Sequence, residues 1–204
     1  MNELSPKLAQ VIVQTIFPVL FGALAIVVWA SGSEIAGAFQ YQRDALIEGQ
    51  YWRLLTGHWV HLGWQHLTIN LGGLAVIWLL FGDALNGIKA WVMTAGIALF
   101  TSACLLFGQP EIQWYVGLSG LLHGLLAAGA LLSLRAIPVA SSLALVLLVG
   151  KLSVELAGGG SNQMEAIIGG PILIEAHLFG ALGGVLCVGV FALSQLSNSL
   201  NLLR

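Results

Sequence analysis

Charge is what this sequence has least of. Seven Lys and Arg and nine Asp and Glu, a formal net charge of -2, are spread over 204 residues. Without a basic run the chain cannot neutralise a phosphate backbone or grip an anionic lipid surface, which excludes nucleic-acid functions. Charged residues amount to 8% and hydrophobic ones to 58%, and a mean hydropathy of +0.92 lies far outside the range of a soluble globular domain. The lipid bilayer is therefore the first partner. Cysteine is nearly absent as well. Cys104 falls near one end of an apolar run and Cys187 deep inside another, so a bridge would have to join a helix end to a helix middle, and two free buried thiols are expected. No HExxH motif occurs, and the acidic residues do not accompany the histidines. No metal and no cofactor is expected; a metal enzyme or transporter built on His58, His61, His66, His123 and His177 is the alternative, and sensitivity to chelators would reveal it.

What the sequence has in place of charge is apolar runs close to the ~20 residues that cross a bilayer as helix. Six are read, over residues 11–31, 64–82, 90–107, 115–134, 136–157 and 171–193. The stretch 32–63 mixes polar and aromatic residues and is expected to lie at the interface as a first loop with short helices. The fold class that follows is an all-α membrane protein, a compact bundle of six transmembrane helices forming a single domain over 1–204. The first run is too long for the apolar core of a signal peptide and is preceded by one basic residue, Lys7, so it is read as an anchor.

Placing both termini in the cytoplasm puts Lys7, Lys89, Arg135 and Arg204 inside and Glu34, Asp44, Glu48, Glu111, Glu165 and Glu175 outside, with Arg43 and Arg53 against the trend. The second, fourth and sixth spans then begin at the outer face. His66 and Asn70 fall in the first turns of the second, Ser119 at the start of the fourth and His177 near the start of the sixth. Polar groups are costly in hydrocarbon, and a cluster of them at one depth marks a functional site. Gly120 and Gly124 on the fourth span, and Gly180 and Gly184 on the sixth, let two helices approach backbone to backbone and bring Ser119 towards His177.

A serine hydroxyl becomes a nucleophile when a base takes its proton, and histidine is suited to that task. No aspartate lies nearby, so the expectation is a dyad of Ser119 and His177. Attack on an amide makes an oxyanion, for which the leading amides of the fourth helix, including that of Ser119, and the side chains of His66 and Asn70 are candidate donors. Each residue also has a plainer use: a hydroxyl bonded to its own helix, an interfacial histidine, an asparagine holding two helices together. Their joint occurrence points to serine hydrolysis of a peptide bond within or beside the membrane.

"WRLLTGHWVHLGWQHLTIN" carries Trp52 and Arg53 and then His61, His66 and Asn70 as H-x4-H-x3-N. "GLSG" follows at 117–120, and "AHLFGALGG" places His177, Gly180 and Gly184 as H-x2-G-x3-G. In this order and spacing the chain, from Gln50 to Gly184, resembles the rhomboid intramembrane serine proteases. The resemblance implies a six-helix bundle, a Ser119/His177 dyad, and an oxyanion site with His66 and Asn70. It also implies a nucleophile turn supported by Gly117 and Gly120, and a first loop lying partly in the outer leaflet around Trp52 and Arg53.

Many rhomboids have a tyrosine four residues after the nucleophile, where this chain has His123. "GLSGLLHG", "RLLTGHWVHLGWQHL", the compact six-span form and a Lys151/Glu155 pair are similar to the rhombosortase subgroup. That similarity implies a multi-pass enzyme of the bacterial inner membrane, its active site towards the periplasm. Its substrates would be membrane-anchored exported proteins, cut at C-terminal Gly-Gly transmembrane tails. A general rhomboid protease for other transmembrane substrates is one alternative; a rhomboid-like protein that binds membrane clients without catalysis is another, usually marked by loss of the serine or histidine. His123, one turn from Ser119, is read as stacking on His177 or as an alternative base. Lys151 and Glu155 are read as a mutual ion pair or as a tail-reading or gating element. Arg53 is read as a snorkelling anchor beside Trp52, and His58 and His61 as residues that order the first loop.

Overall fold

The computed structural model describes residues 5–159 and 161–201. In chain order it has α1 (Pro6–Ala30), α2 (Gly32–Phe39), β1 (Tyr41–Gln42), α3 (Arg43–Ile47), α4 (Arg53–Thr56) and a 3-10 turn (Gly57–Trp59). Then come α5 (Trp64–Phe81), α6 (Gly87–Gly108), β2 (Trp114–Tyr115), α7 (Ser119–Ser133), α8 (Pro138–Leu156), α9 (Ser161–Ile168) and α10 (Ile174–Asn201). Among the described residues, α5, α6, α8 and α10 are long and apolar enough to cross a membrane, and the α1/α2 pair, bent by 119°, can count as a fifth span. The chain is an all-α membrane protein. Arg204, one of the residues on which the orientation was read, lies outside the described residues, as does the side chain of Lys7.

α7 is apolar but has 15 residues, fewer than a full crossing needs. Its start differs from the apolar run read from residue 115. Tyr115 pairs instead with Tyr41, and Trp114 with Gln42, in a two-residue antiparallel ladder. Gly117, at φ +118°, then reverses the backbone in a region that residues with a Cβ avoid, so the helix begins only at Ser119. The ladder and the Gly117 amide, which donates to the Gly57 carbonyl at 3.2 Å, fasten this turn to the first loop.

α7 is the central helix, with Leu121, Leu125, Ala128 and Ala130 buried in the main core beside Phe81 and Ile97. Its tightest neighbour is α10. A Cβ on Gly180 would overlap the Gly120 carbonyl, and one on Gly184 the Gly124 carbonyl, so the two backbones are in direct contact and only glycine fits there. α1 is pinned to α5 by Phe17 stacked on Trp78 at 4.8 Å and by the Trp78 indole N–H donating to the Gln14 carbonyl at 2.5 Å.

The first loop corrects the reading of Arg53. Its guanidinium is buried, not snorkelling: Nη1 donates to the carbonyls of Gly37 (2.8 Å) and Gln40 (2.6 Å), and Nε to the Gln50 side chain at 2.8 Å. The reason is local, since α2 ends there and leaves carbonyls without intrahelical partners, and a five-donor fork satisfies several at once. Trp52 is half-exposed, and its indole N–H donates to the Ala38 carbonyl at 3.1 Å. Arg43 does similar work at the far end of α6, where Nη2 donates to the Leu106 carbonyl at 2.6 Å. Cys104 and Cys187 are both free.

Candidate active site

The closeness of α7 and α10 sets Ser119 at the N-terminus of one against His177 in the first turns of the other. His177 Nε2 lies 2.9 Å from Ser119 Oγ. On the other edge of the ring, His177 Nδ1 lies 3.0 Å from Glu155 Oε2, near the end of α8. This contact corrects the expectation that no carboxylate joins the cluster. It also determines the tautomer, because a carboxylate accepts only: Nδ1 carries the proton, and Nε2 presents a lone pair to the serine hydroxyl. Lys151, one turn earlier on α8, donates to the other carboxylate oxygen, Oε1, at 2.5 Å. The Lys151/Glu155 ion pair read from the sequence is present, and the same carboxylate reaches His177 as well.

His123 lies flat on His177, with ring centroids 4.2 Å apart and planes 12° from parallel. Its Nδ1–H donates to the Ser119 carbonyl at 2.6 Å, so the ring edge nearest Ser119 is bound to the backbone and not to Oγ. His123, Glu155 and His177 do offer three ligand atoms within 4.8 Å of one another. Parallel rings, however, aim their lone pairs along parallel lines, and both nitrogens of His177 already have partners, so the set is poorly shaped for a metal ion.

On the opposite side of the Gly117–Ser119 turn stand the two α5 side chains. A Cβ on Gly117 would come within 2.8 Å of His66 Nε2 and 3.9 Å of Asn70 Nδ2, so this glycine is what lets the turn lie against both. His66 Nδ1 accepts the Leu62 amide at 3.4 Å, which leaves its proton on Nε2, facing the turn. Asn70 is buried, and its Nδ2 has no hydrogen-bond partner among the described residues. An amide donor is seldom buried without an acceptor, and this one stands beside the turn that carries Ser119. His61 packs edge-on against His66 at 4.9 Å. Burial, with His66 adding to it, holds His61 far below the ordinary imidazole range, at about 3, and its neutral ring donates from Nδ1 to the Trp59 carbonyl at 2.9 Å.

A second serine–histidine contact is structural. His58 Nε2 lies 3.1 Å from Ser102 Oγ, but the Ser102 hydroxyl donates to the Leu54 carbonyl at 2.7 Å and both residues are sealed in the core. The pair holds the first loop onto α6. Tyr115, edge-on to His58, donates its hydroxyl to the Gly117 carbonyl at 2.6 Å and so braces the turn before Ser119. Nothing in the sequence singled out Tyr115. Glu155 carried a signal, an acid in an apolar run, which marks a group that needs partners without naming them.

Ser119, His177, His66 and Asn70 share one open cavity of about 1050 Å³. It extends as an apolar groove between α5 and α8, past Gly72 and Val76 on one side and Leu147 and Gly150 on the other. A Cβ would meet nothing within 4 Å at Gly72 or Gly150, so the groove walls leave room. Trp52 and Arg53 do not line it.

Comparison with protein families gives a match to the Rhomboid domain over residues 48–194, and a search among curated proteins finds no match. The chain belongs to the rhomboid family, whose members are generally intramembrane serine proteases.

Proposed function

We propose that this rhomboid-family chain is an intramembrane serine endopeptidase with Ser119 as nucleophile and His177 as base. The observation that carries the reading is the 2.9 Å contact of His177 Nε2 with Ser119 Oγ at the end of an apolar groove. In the first step the Oγ proton passes to Nε2 while Oγ bonds to the substrate carbonyl carbon, and the carbonyl π pair moves onto oxygen. His66 Nε2–H, the Asn70 amide and the leading amides of α7, that of Ser119 among them, are the donors for that oxyanion. Collapse of the intermediate breaks the C–N bond, and the Nε2 proton goes to the leaving amine. Water, deprotonated by the same nitrogen, then attacks the acyl-enzyme, releases a carboxylic acid product and restores the hydroxyl.

The proposed membrane arrangement is one domain of six spans, α1, α5, α6, α7, α8 and α10, with both termini in the cytoplasm and the dyad towards the outer, periplasmic face of a bacterial inner membrane. It is supported by Lys89 and Arg135, which sit at the opposite end of the helices from Ser119. Because α7 is short, its start lies below the level reached by the full-length helices, and a substrate must reach it through the groove. That requires an extended segment, since a transmembrane helix hides its amides in its own hydrogen bonds. Glycine has among the weakest helix preferences, which fits a Gly-Gly step ahead of an apolar C-terminal anchor as the substrate, the rhombosortase-like choice. A general rhomboid specificity for other unwinding segments is the second reading, favoured by the open groove walls.

The decisive experiment is fluorophosphonate labelling of the purified protein with peptide mapping. Modification of Ser119, lost in His177→Ala, is the expected result; labelling elsewhere, or none, would sink the assignment.

A further inference from the structure

The pair of Ser119 and His177 suffices for the chemistry just described, yet the structure gives His177 a third partner. Glu155 Oε2 lies 3.0 Å from Nδ1, on the ring edge opposite the nucleophile. Its side chain is only 12% exposed, and its other oxygen is held at 2.5 Å by the Lys151 ammonium. A carboxylate in an apolar helix needs partners to offset its lost hydration, and Lys151 alone would meet that need. Lys151 is about half exposed, with a long flexible stem that could carry the acid outward to the polar surface. The acid instead turns inward to the one nitrogen whose proton decides whether Nε2 can act as a base.

We propose that Glu155 is a positioning residue that completes a Ser119–His177–Glu155 triad, with Lys151 holding the carboxylate in place. The inference rests on the proteolytic reading above and goes beyond its dyad. Glu155 stays ionised throughout. It accepts the Nδ1–H bond, keeps the Nε2 lone pair directed at Ser119, and stabilises the imidazolium that forms when Nε2 takes the hydroxyl proton. It thereby couples α8, one wall of the groove, to the base on α10. His123 covers one face of the ring, and because the two rings are stacked and nearly parallel its free lone pair does not meet the in-plane Nδ1–H of His177.

The charged and titratable groups around His177 are Ser119 and His123 from α7, Glu155 and Lys151 from α8, His66 from α5, and Glu175 two residues earlier on its own helix. Of these, Glu155 is the anion in contact with the ring. Its removal should therefore lower kcat, through the orientation of the base and the stabilisation of its charged form, while substrate binding changes little.

The test uses the full-length protein in detergent or liposomes, with fluorophosphonate labelling of Ser119, a cleavable transmembrane reporter, and thermal unfolding. Glu155→Gln, whose amide can donate to Nδ1 and so push the proton onto Nε2, should slow labelling and kcat by about 10²- to 10⁴-fold with KM little changed. Glu155→Asp, which keeps the carboxylate, should recover part of the rate. Should Glu155→Gln not fold, Glu155→Asp carries the same test, with a partial loss of kcat expected at an unchanged KM and melting point. Wild-type rates in Glu155→Gln, or losses of kcat that only follow the melting point, would overturn the triad and leave the dyad intact. Failure of the wild-type protein to label at Ser119 would overturn the proteolytic reading itself, and the triad with it.

Discussion

His177 Nε2 stands 2.9 Å from Ser119 Oγ although 58 residues of chain separate them. Two glycine pairs make the approach possible, because α7 and α10 touch backbone to backbone just below the site. On the proposed reading, nucleophile and base act as one unit. Ser119→Ala or His177→Ala is expected to remove nearly all cleavage of a membrane reporter, and the double variant to be scarcely worse than either. His123→Ala should keep measurable activity, since its ring nitrogen is bound to the backbone carbonyl of Ser119. An inactive His123→Ala beside an active His177→Ala would reverse the assignment of the base.

Asn70 supplies a separate expectation. Its buried amide nitrogen has no partner among the described residues, so it contributes little to the resting fold, and on the proposed reading it binds the developing oxyanion. Asn70→Ala should lower kcat by about 10- to 1000-fold with KM nearly unchanged and the melting temperature in detergent preserved. A fully active but poorly folded variant would mean that the residue serves only to join helices.

The glycine contact is itself open to test. Gly180→Ala places a methyl group on the Gly120 carbonyl, which can be relieved only by parting α7 from α10. A cost of about 1–3 kcal/mol in stability is expected, with activity falling further because Ser119 and His177 are displaced from one another. Gly189→Ala, on the same helix where a Cβ would meet nothing, is the control and should be neutral in both assays.

Arg53 is expected to matter for the fold and not for membrane anchoring. Arg53→Ala strips donors from the Gly37 and Gln40 carbonyls and should destabilise the protein by about 2–4 kcal/mol, read as reversible unfolding in mixed micelles. Lysine should rescue poorly, because a point charge cannot reproduce the fork. An anchoring residue would show the reverse: lysine fully effective and alanine harmless to stability.

Substrate choice can be read with reporters. An exported protein ending in a Gly-Gly step and an apolar helix, co-expressed in a host without a relative of this chain, should be processed. The same tail with Val-Val or Leu-Leu should be processed far less, since within an apolar helix those residues keep the backbone helical where a Gly-Gly step lets it unwind. Equal processing of all three would leave a general rhomboid protease, as would cleavage confined to N-terminally anchored reporters.

Much of this protein was legible without coordinates, and for a clear reason. A bilayer forces long apolar runs into helices, so those runs and the scarcity of charge pointed to an all-α membrane protein, and the few polar residues inside them marked Ser119, His177, His66 and Asn70 as the candidate site. The glycines at intervals of four announced a close helix pair. Tertiary structure decided which side chains meet. Lys151 and Glu155, four apart on one helix, were readable as a pair, but a carboxylate has two oxygens, and the destination of the second depends on how α8 is rotated against α10. Arg53 could have reached outward or inward, and the outcome turned on where α2 ended and which carbonyls it left unbonded. Tyr115 belonged to an apolar run that read as helix, until pairing with Tyr41 drew it into a ladder and set the helix start at Ser119. Hydrophobicity along a chain determines what enters the membrane, whereas hydrogen bonds between helices depend on rotation and register, which arise only when the helices pack.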